Sequence, residues 1–325
     1  NKDSIFLGGI KYFITDSLVY KNKTNIKSSL KVIVHSGATK ANEKFKNLYS
    51  EIFGFKEKKE WKTFWLLPND KLISWLSIQK GFDKKCILRW QNGSFWKNFD
   101  IVIGPASTSF YEAILQGCLP ITFNISKTQN DERNTYLEIG HLLHITHDDL
   151  NKPNFVSDLL GVVEKNYKIL KKIIMDGSKH LDGKGTRRVA AAISSMLGED
   201  KMVKLHKEKM SSPNSRIRSC KITDAESFRI ARNGDRARAV STQKYRKIEW
   251  PEHLSWWLDS NVEKFVLEKD QEKRIYFWHK QAMISDKKYL VGGWFPGNHD
   301  LVFMDVIKIL DWQLRETSFK YPEHK

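Results

Sequence analysis

Residues 100–124 constrain the fold of this chain more than any other stretch. An apolar β-branched run, Asp100-Ile101-Val102-Ile103, breaks into Gly104-Pro105-Ala106-Ser107-Thr108 and then into a helical pattern. A short continuous apolar run bounded by turn residues reads as a fully buried strand. A strand that feeds straight into a helix is the βα turn of a sheet covered by helices on both faces. Ligands of such sheets bind at the carboxyl ends of the strands. The helix is expected over 109–116 and the next strand over 119–124.

The alternation extends to both sides. Residues 30–36 (LKVIVHS), 64–67 and 86–90 read as strands, with helical patterns over 42–53 and 71–79. Residues 155–174 form the longest helix candidate, with Leu159, Val163, Tyr167, Leu170 and Ile174 at helical spacing. A turn at Asp182-Gly183-Lys184-Gly185 leads into an Ala-rich helix over 186–197. These elements predict an α/β domain over 1–197 built on a Rossmann-like parallel sheet.

Residues 198–215 are charged, contain Ser211-Ser212-Pro213 and lack periodicity, which marks a linker. The pattern restarts at 216 with a strand candidate over 216–222. Thr223 to Glu226 has the form of a capping box, and a helix is expected after Trp250-Pro251. Strands over 274–279 and 289–294 and a last helix from about 300 to 315 complete a smaller α+β domain, 216–325.

The 104–112 segment carries the chemistry. A helix that starts at the end of a buried strand turns its free amides and the positive end of its dipole toward the crevice, which suits a diphosphate. Ser107, Thr108 and Ser109 add hydroxyl donors, and Gly104 lets the backbone come close. Glu112, one turn into the helix, is placed to accept two hydrogen bonds from a ribose diol. Ser109-x-x-Glu112 is equally the spacing of a capping box, a purely structural device. Gly117 and Pro120 have a structural reading too, ending the helix and opening the next strand.

Composition narrows the partners. The formal charge is +17, with 55 Lys and Arg against 38 Asp and Glu. The lysines are spread along the chain and no nucleic-acid motif accompanies them, which argues against nucleic acid. An anionic small molecule such as a sugar nucleotide or coenzyme A needs only a local share of the charge, and solvation by a lysine-rich composition accounts for the excess equally. No apolar run reaches the roughly 20 residues needed to cross a bilayer. Cys86, Cys118 and Cys220 have neither disulfide-framework nor zinc spacing, so a cytoplasmic setting is expected and no metal is required. Beginning at Asn1 without a signal pattern, the chain reads as an internal or processed piece.

The run Gly104-x-x-Ser107-Thr108-x-x-x-Glu112-Ala113-x-x-x-Gly117-x-x-Pro120 resembles the donor-nucleotide motif in the C-terminal half of GT-B glycosyltransferases. More narrowly it resembles the UDP-sugar hydrolases of pseudaminic acid biosynthesis, which share that fold. Leu7-Gly8-Gly9-Ile10-Lys11-Tyr12 is similar to the Gly-x-x-Tyr segment where that family's chain crosses between domains. Thr128-Gln129-Asn130 stands where the family has an Asn-Gln pair reaching the sugar nucleotide. Asp182-Gly183-Lys184-Gly185-Thr186-Arg187-Arg188-Val189 resembles its late Asp-Gly-x-Gly-x-x-Arg signature.

The resemblance implies a UDP-sugar as ligand, contacted by Gly37, Gly104, Ser107, Thr108, Ser109, Glu112, Gln129 and Asn130. It also implies water attack on the sugar–phosphate linkage. Two departures stand out. The family's Gly-Gly after the first strand is here His35-Ser36-Gly37-Ala38-Thr39, and the second Gly of its Gly-Gly-Ser triplet is Ala106. The family's catalytic histidine belongs to an N-terminal Rossmann domain that this sequence does not contain, so no catalytic residue is assigned. A glycosyltransferase donor domain and a non-catalytic nucleotide-sugar-binding scaffold are the alternatives.

Arg232-Asn233, followed by Ser241 and then Ile248-x-x-x-x-His253-x-x-Trp256, resembles the opening of GNAT-superfamily N-acetyltransferases that act on amino sugar nucleotides. The pairing fits the first resemblance, because nonulosonic acid pathways of the pseudaminic and legionaminic type use both activities. In that family acetyl-CoA lies on an Arg/Gln-x-x-Gly-x-Gly/Ala loop. Here the corresponding loop reads Phe295-Pro296-Gly297-Asn298-His299-Asp300, in which Gly297 and Asn298 are expected to supply free amides. The sequence ends earlier than a complete GNAT domain would. His253 is either a general base or a helix-surface residue beside Trp256 and Trp257.

Overall fold

The computed structural model of the chain describes residues 10–13, 29–37, 43–58, 61–67, 70–89, 95–124, 136–197, 215–240, 246–284, 287–297 and 302–322. The chain divides into two units, Asn1–Val203 and Lys204–Lys325.

In the first unit, β1 (Lys31–His35), β2 (Lys62–Leu66), β3 (Ile101–Pro105), β4 (Leu119–Phe123) and β5 (His144–Ile145) form one sheet in the order β2-β1-β3-β4-β5. Every pairing is parallel. All five residues of β3 and of β4 are buried, as continuous apolar strands covered on both faces must be. Pro120 sits inside β4 at no cost, because β5 pairs only with Thr122 and Phe123 and the proline's missing N–H has no ladder to break. The strand expected over 86–90 shrinks to a single bridge between Ile87 and Trp65. Asp83 accepts from the Lys85 amide and winds Lys84–Cys86 into a 3₁₀ turn instead.

The helices of this unit are α1 (Glu43–Lys58), α2 (Asp70–Ser77), α3 (Thr108–Leu115), α4 (Phe155–Gly177) and α5 (Gly185–Leu197). The α4 stripe read from the sequence is buried in full, and Tyr167 donates to the Asp100 carbonyl at the foot of β3. The first turn of α4 has no side-chain cap of its own; Glu51 of α1 accepts from the Ser157 amide at 3.0 Å. At the end of α3, Gly117 takes φ +78, with Cys118 N–H donating to Ala113 O and Gly117 N–H to Ile114 O, both at 2.9 Å. This is a Schellman motif, so Gly117 serves as the helix stop.

The second unit carries an antiparallel sheet in the order β6-β7-β8-β9, made of β6 (Arg216–Ser219), β7 (Val262–Lys269), β8 (Glu272–Ile284) and β9 (Lys287–Pro296). Its helices are α6 (Ala225–Arg232), α7 (Asp235–Val240), α8 (Trp250–Trp257) and α9 (Phe303–Lys320). Along β8, alternate side chains face opposite ways. Tyr276 and Trp278 meet Phe228 of α6 and Trp256 of α8, while Ile275 and Phe277 pack on Ile309 of α9. The capping role read for Thr223 and Glu226 goes elsewhere. Asp224, fully buried, accepts from the Lys221 amide at 2.7 Å and pairs with Arg218 and Lys273, while Glu226 pairs with Arg229.

Candidate functional site

The strand order reverses between β1 and β3: the chain leaves β1 toward β2 on one side and continues from β3 to β4 and β5 on the other. In open α/β sheets this reversal opens a crevice at the carboxyl ends of the two strands, where ligands bind. β1 delivers His35, Ser36 and Gly37 to that edge, and β3 delivers Gly104 and Pro105 followed by α3.

Ser107 is the residue before the first turn of α3, with extended backbone and no side-chain capping bond. Its hydroxyl lies 2.7 Å from that of Ser109, and Ser107 and Thr108 are exposed. Because the helix starts at Thr108, Ser109 is not its cap and the Ser109–Glu112 capping box does not form. Of the first-turn amides, that of Phe110 donates to the Ser107 carbonyl at 3.0 Å, while those of Thr108 and Ser109 carry the positive end of the helix dipole toward this edge. Hydroxyls and amides thus share one solvent-facing edge, an arrangement suited to an anion.

Gly104 has a different role from the one the sequence suggests. A Cβ added there would lie 1.8 Å from His35 Nε2, so the space it leaves is filled by an imidazole rather than kept for a ligand. His35 is 6% exposed, and burial pushes its pKa down to about 4. The ring is therefore neutral at pH 7, with Nε2 3.5 Å from the Ser109 hydroxyl. Its other neighbour is Trp96, at 5.3 Å between ring centroids. Trp96 Nε1–H donates to Glu112 Oε2 at 3.3 Å, and Glu112 remains half-buried at the crevice.

The structure thus links Gly104, Ser107, Ser109 and Glu112 through His35 and Trp96, with Thr108 on the same helix turn, while Gly37 follows β1 at the same end of the sheet. Gln129 and Asn130 lie outside the described residues. His35 had a signal in the sequence, a polar side chain closing an apolar strand. Trp96, in the loop before β3, had none.

Two other sequence signatures meet one another. Gly185 opens α5 against the turn Ile10–Tyr12, where a Cβ would come 2.0 Å from the Phe13 carbonyl. Arg188 donates to both oxygens of Asp182, at 2.7 and 2.6 Å, and to the Lys11 carbonyl at 3.0 Å. The Asp-Gly-Lys-Gly run therefore clasps the segment that carries Tyr12.

In the second unit the Arg-Asn and His-x-x-Trp residues also converge, as scaffolding. Asn233 accepts from the Ile248 amide at 2.8 Å and donates to its carbonyl at 3.0 Å. Arg232 lies 4.1 Å over the Trp256 ring and 3.1 Å from His253 Nδ1. His253 is fully buried, not a helix-surface residue, and its Nε2 lies 2.9 Å from the Ala225 carbonyl. Burial and the neighbouring arginines hold its pKa well below the usual histidine value. With one nitrogen donating to a carbonyl and the other accepting from a guanidinium, it has neither free lone pair nor access for a general base. The Gly297 amide is also taken, donating to Arg274 O at 2.8 Å, and α9 starts only at Phe303. Asn298 lies outside the described residues.

Among the described residues, no helix is long and apolar enough to cross a membrane, and no group of three His, Cys, Asp or Glu side chains is arranged to hold a metal ion.

No family model and no curated protein matches the sequence. Among solved structures, the chain is similar to a putative UDP-N-acetylglucosamine 2-epimerase from Listeria monocytogenes, at 17% identity and a TM-score of 0.40, over 60% of this chain and 54% of that one. It is also similar to a GCN5-related glucosamine N-acetyltransferase region of a fungal multi-domain GH3 beta-N-acetylglucosaminidase, at 8% identity and a TM-score of 0.25, over 95% of this chain and 31% of that one. The chain thus spans about half of the first protein's length and less than a third of the second's. Neither likeness is close enough to define a fold.

Proposed function

We propose that residues 1–197 bind a nucleoside diphosphate sugar, a UDP-amino sugar in the first instance, at the crevice between β1 and β3. The supporting observation is that Ser107, Thr108, Ser109 and the start of α3 lie at the reversal of strand order, with Glu112 one turn further along. The diphosphate lies on the Thr108 and Ser109 amides and the hydroxyls, and the Glu112 carboxylate accepts from the ribose hydroxyls. This reading covers the C-terminal half of a GT-B fold of UDP-sugar hydrolase type, at work in nonulosonic acid synthesis of the pseudaminic or legionaminic kind. In the reaction, water displaces UDP from the sugar carbon. No group in this chain is assigned to activate that water, so turnover calls on a partner domain. A glycosyltransferase donor domain uses the same contacts with a different acceptor.

Residues 216–325 are proposed as an N-acetyltransferase-like domain with acetyl-CoA as ligand. The support is the convergence of Arg232, Asn233, Ile248, His253 and Trp256 on one helix pair. Because the Gly297 amide is engaged, the coenzyme contact is sought at other amides of the loop before α9.

The test is calorimetric titration of UDP into the intact chain and into Glu112→Ala. Saturable binding by the parent and its loss in the variant is the expected result. Binding that survives the substitution moves the ribose contact elsewhere, and no binding by the parent removes the autonomous site. Titration with acetyl-CoA tests the second unit in the same way.

A further inference from the structure

Glu112 receives only one hydrogen bond to its carboxylate among the described residues, from the indole of Trp96. That indole is 1% exposed and belongs to a core cluster with Ile33, Phe95, Phe99 and Val102. The short turn that carries it is fastened to α3 and its end at three separate points. Trp96 Nε1–H donates to Glu112 Oε2, Lys97 N–H donates to Gln116 Oε1 at 3.0 Å, and Cys118 Sγ–H donates to the Trp96 carbonyl at 3.0 Å. Gln116 and Cys118 are themselves buried. On its other side the Trp96 ring backs His35, the imidazole beside Ser109. One buried indole therefore touches the side chain behind the hydroxyl end of the crevice and the carboxylate at the other end.

A long, half-exposed glutamate at the rim of a crevice samples many rotamers, and ordering it on binding costs affinity. A fixed donor from the core removes that cost in advance. An ionised carboxylate offers about four acceptor positions, of which the indole takes one. Oε1 then remains entirely available to a hydroxyl. A buried tryptophan usually finds some hydrogen-bond partner for its N–H, so the contact alone does not distinguish orientation from mere satisfaction. The three-point fastening does, because it ties the donor rigidly to the helix that carries the acceptor.

We infer that Trp96 is the positioning residue for the nucleoside half of this site, holding Glu112 through Oε2 so that Oε1 meets the ribose 2′-hydroxyl. The inference rests on the reading of Glu112 as the ribose contact. It assigns selectivity for a ribonucleotide over a 2′-deoxyribonucleotide to a side chain that itself never reaches the ligand.

The experiment compares UDP with 2′-deoxy-UDP by calorimetry, in the parent and in Trp96→Phe, which keeps the ring against His35 and removes the N–H. The parent is expected to prefer UDP by roughly tenfold or more, the worth of one hydrogen bond to a charged group. In Trp96→Phe the preference collapses to about twofold or less, while affinity for inorganic pyrophosphate stays as in the parent. Equal losses for UDP and 2′-deoxy-UDP, with the preference intact, overturn the positioning role and leave Trp96 as packing. A parent that binds both nucleotides equally well overturns the reading of Glu112 instead, and the inference with it. If Trp96→Phe does not fold, Gln116→Leu loosens the same turn while keeping the indole. A reduced preference there supports the role, and an unchanged one overturns it.

Discussion

The imidazole of His35 occupies the space in which a side chain at residue 104 would begin, its Nε2 lying 1.8 Å from the position of a Cβ built on Gly104. The two residues stand on adjacent parallel strands at the edge where the strand order reverses. The glycine is therefore a packing requirement of its neighbour. Gly104→Ala is expected to displace a buried ring and to cost about 1–3 kcal/mol, the usual range for overpacking a full core. In a unit of this size that lowers the melting temperature by a few degrees per kcal/mol. Adding His35→Ala should recover part of the loss, because contacting sites are not additive. Additive losses in the double variant, measured by thermal unfolding, would show that the clash is not the cause.

The buried histidines fix how stability responds to acid. His35, His141 and His253 all have folded-state pKa values below the ordinary 6.5, with burial as the largest cause in each. Above pH 6.5 both folded and unfolded chains hold them neutral, and they contribute no pH dependence. As the pH falls below 6.5 the unfolded chain takes up protons that the folded chain refuses, so stability declines. For His35 the decline runs down to about pH 4 and amounts to roughly 3 kcal/mol at 1.36 kcal/mol per pKa unit. Urea unfolding at pH 7.5, 6 and 5 should show midpoints that fall with acidity for both units, His253 reporting on the second. A midpoint that is flat or rises over this range contradicts the assignment of these rings as neutral and buried.

What the sequence disclosed follows from how each element is covered. β1, β3 and β4 are buried on both faces and so read as unbroken apolar runs. β5 is only two residues long, too short for any periodicity to show. β7 escaped notice for another reason: Val262-Glu-Lys-Phe-Val-Leu-Glu-Lys269 mixes charges into a strand that carries helices on both sides of its sheet. Its hairpin turn was silent too. Asp270 and Gln271 both take positive φ, +52 and +68, a conformation usually announced by Asn-Gly. In the crevice, the hydroxyls and Glu112 were legible because they follow a strand directly. Trp96 was not, since only the fold brings it to a helix sixteen residues later.

Asn233 is the joint of the second unit. Its amide pairs with both the N–H and the C=O of Ile248, fixing the entry to α8 against the end of α6. Asn233→Ala removes both bonds and strands a partly buried amide, which costs about 1–3 kcal/mol. Arg229 also donates to the Ile248 carbonyl at 3.2 Å, so the unmet group is chiefly the N–H. Asn233→Asp, which can still accept from it, should retain more stability than the alanine variant. Thermal unfolding that ranks the two variants the other way round would sink this account. The same substitutions should leave UDP binding by the first unit unchanged.

Ser109 separates the two halves of the proposed nucleotide site. Its hydroxyl is 2.7 Å from that of Ser107 and 3.5 Å from His35 Nε2, on the first turn of α3. If the diphosphate lies on this turn, Ser109→Ala removes one neutral donor. Affinity for UDP and for inorganic pyrophosphate should then fall together by roughly 3- to 10-fold, with stability within about 0.5 kcal/mol of the parent. On the proposed reading Glu112→Ala behaves differently, weakening UDP without weakening pyrophosphate, because the carboxylate then serves the ribose and gives an anion no donor to lose. Calorimetric titration of both ligands into both variants distinguishes the cases. Loss of UDP affinity without loss of pyrophosphate affinity in Ser109→Ala would mean that the diphosphate does not lie on this turn, and that the helix start is only an exposed end.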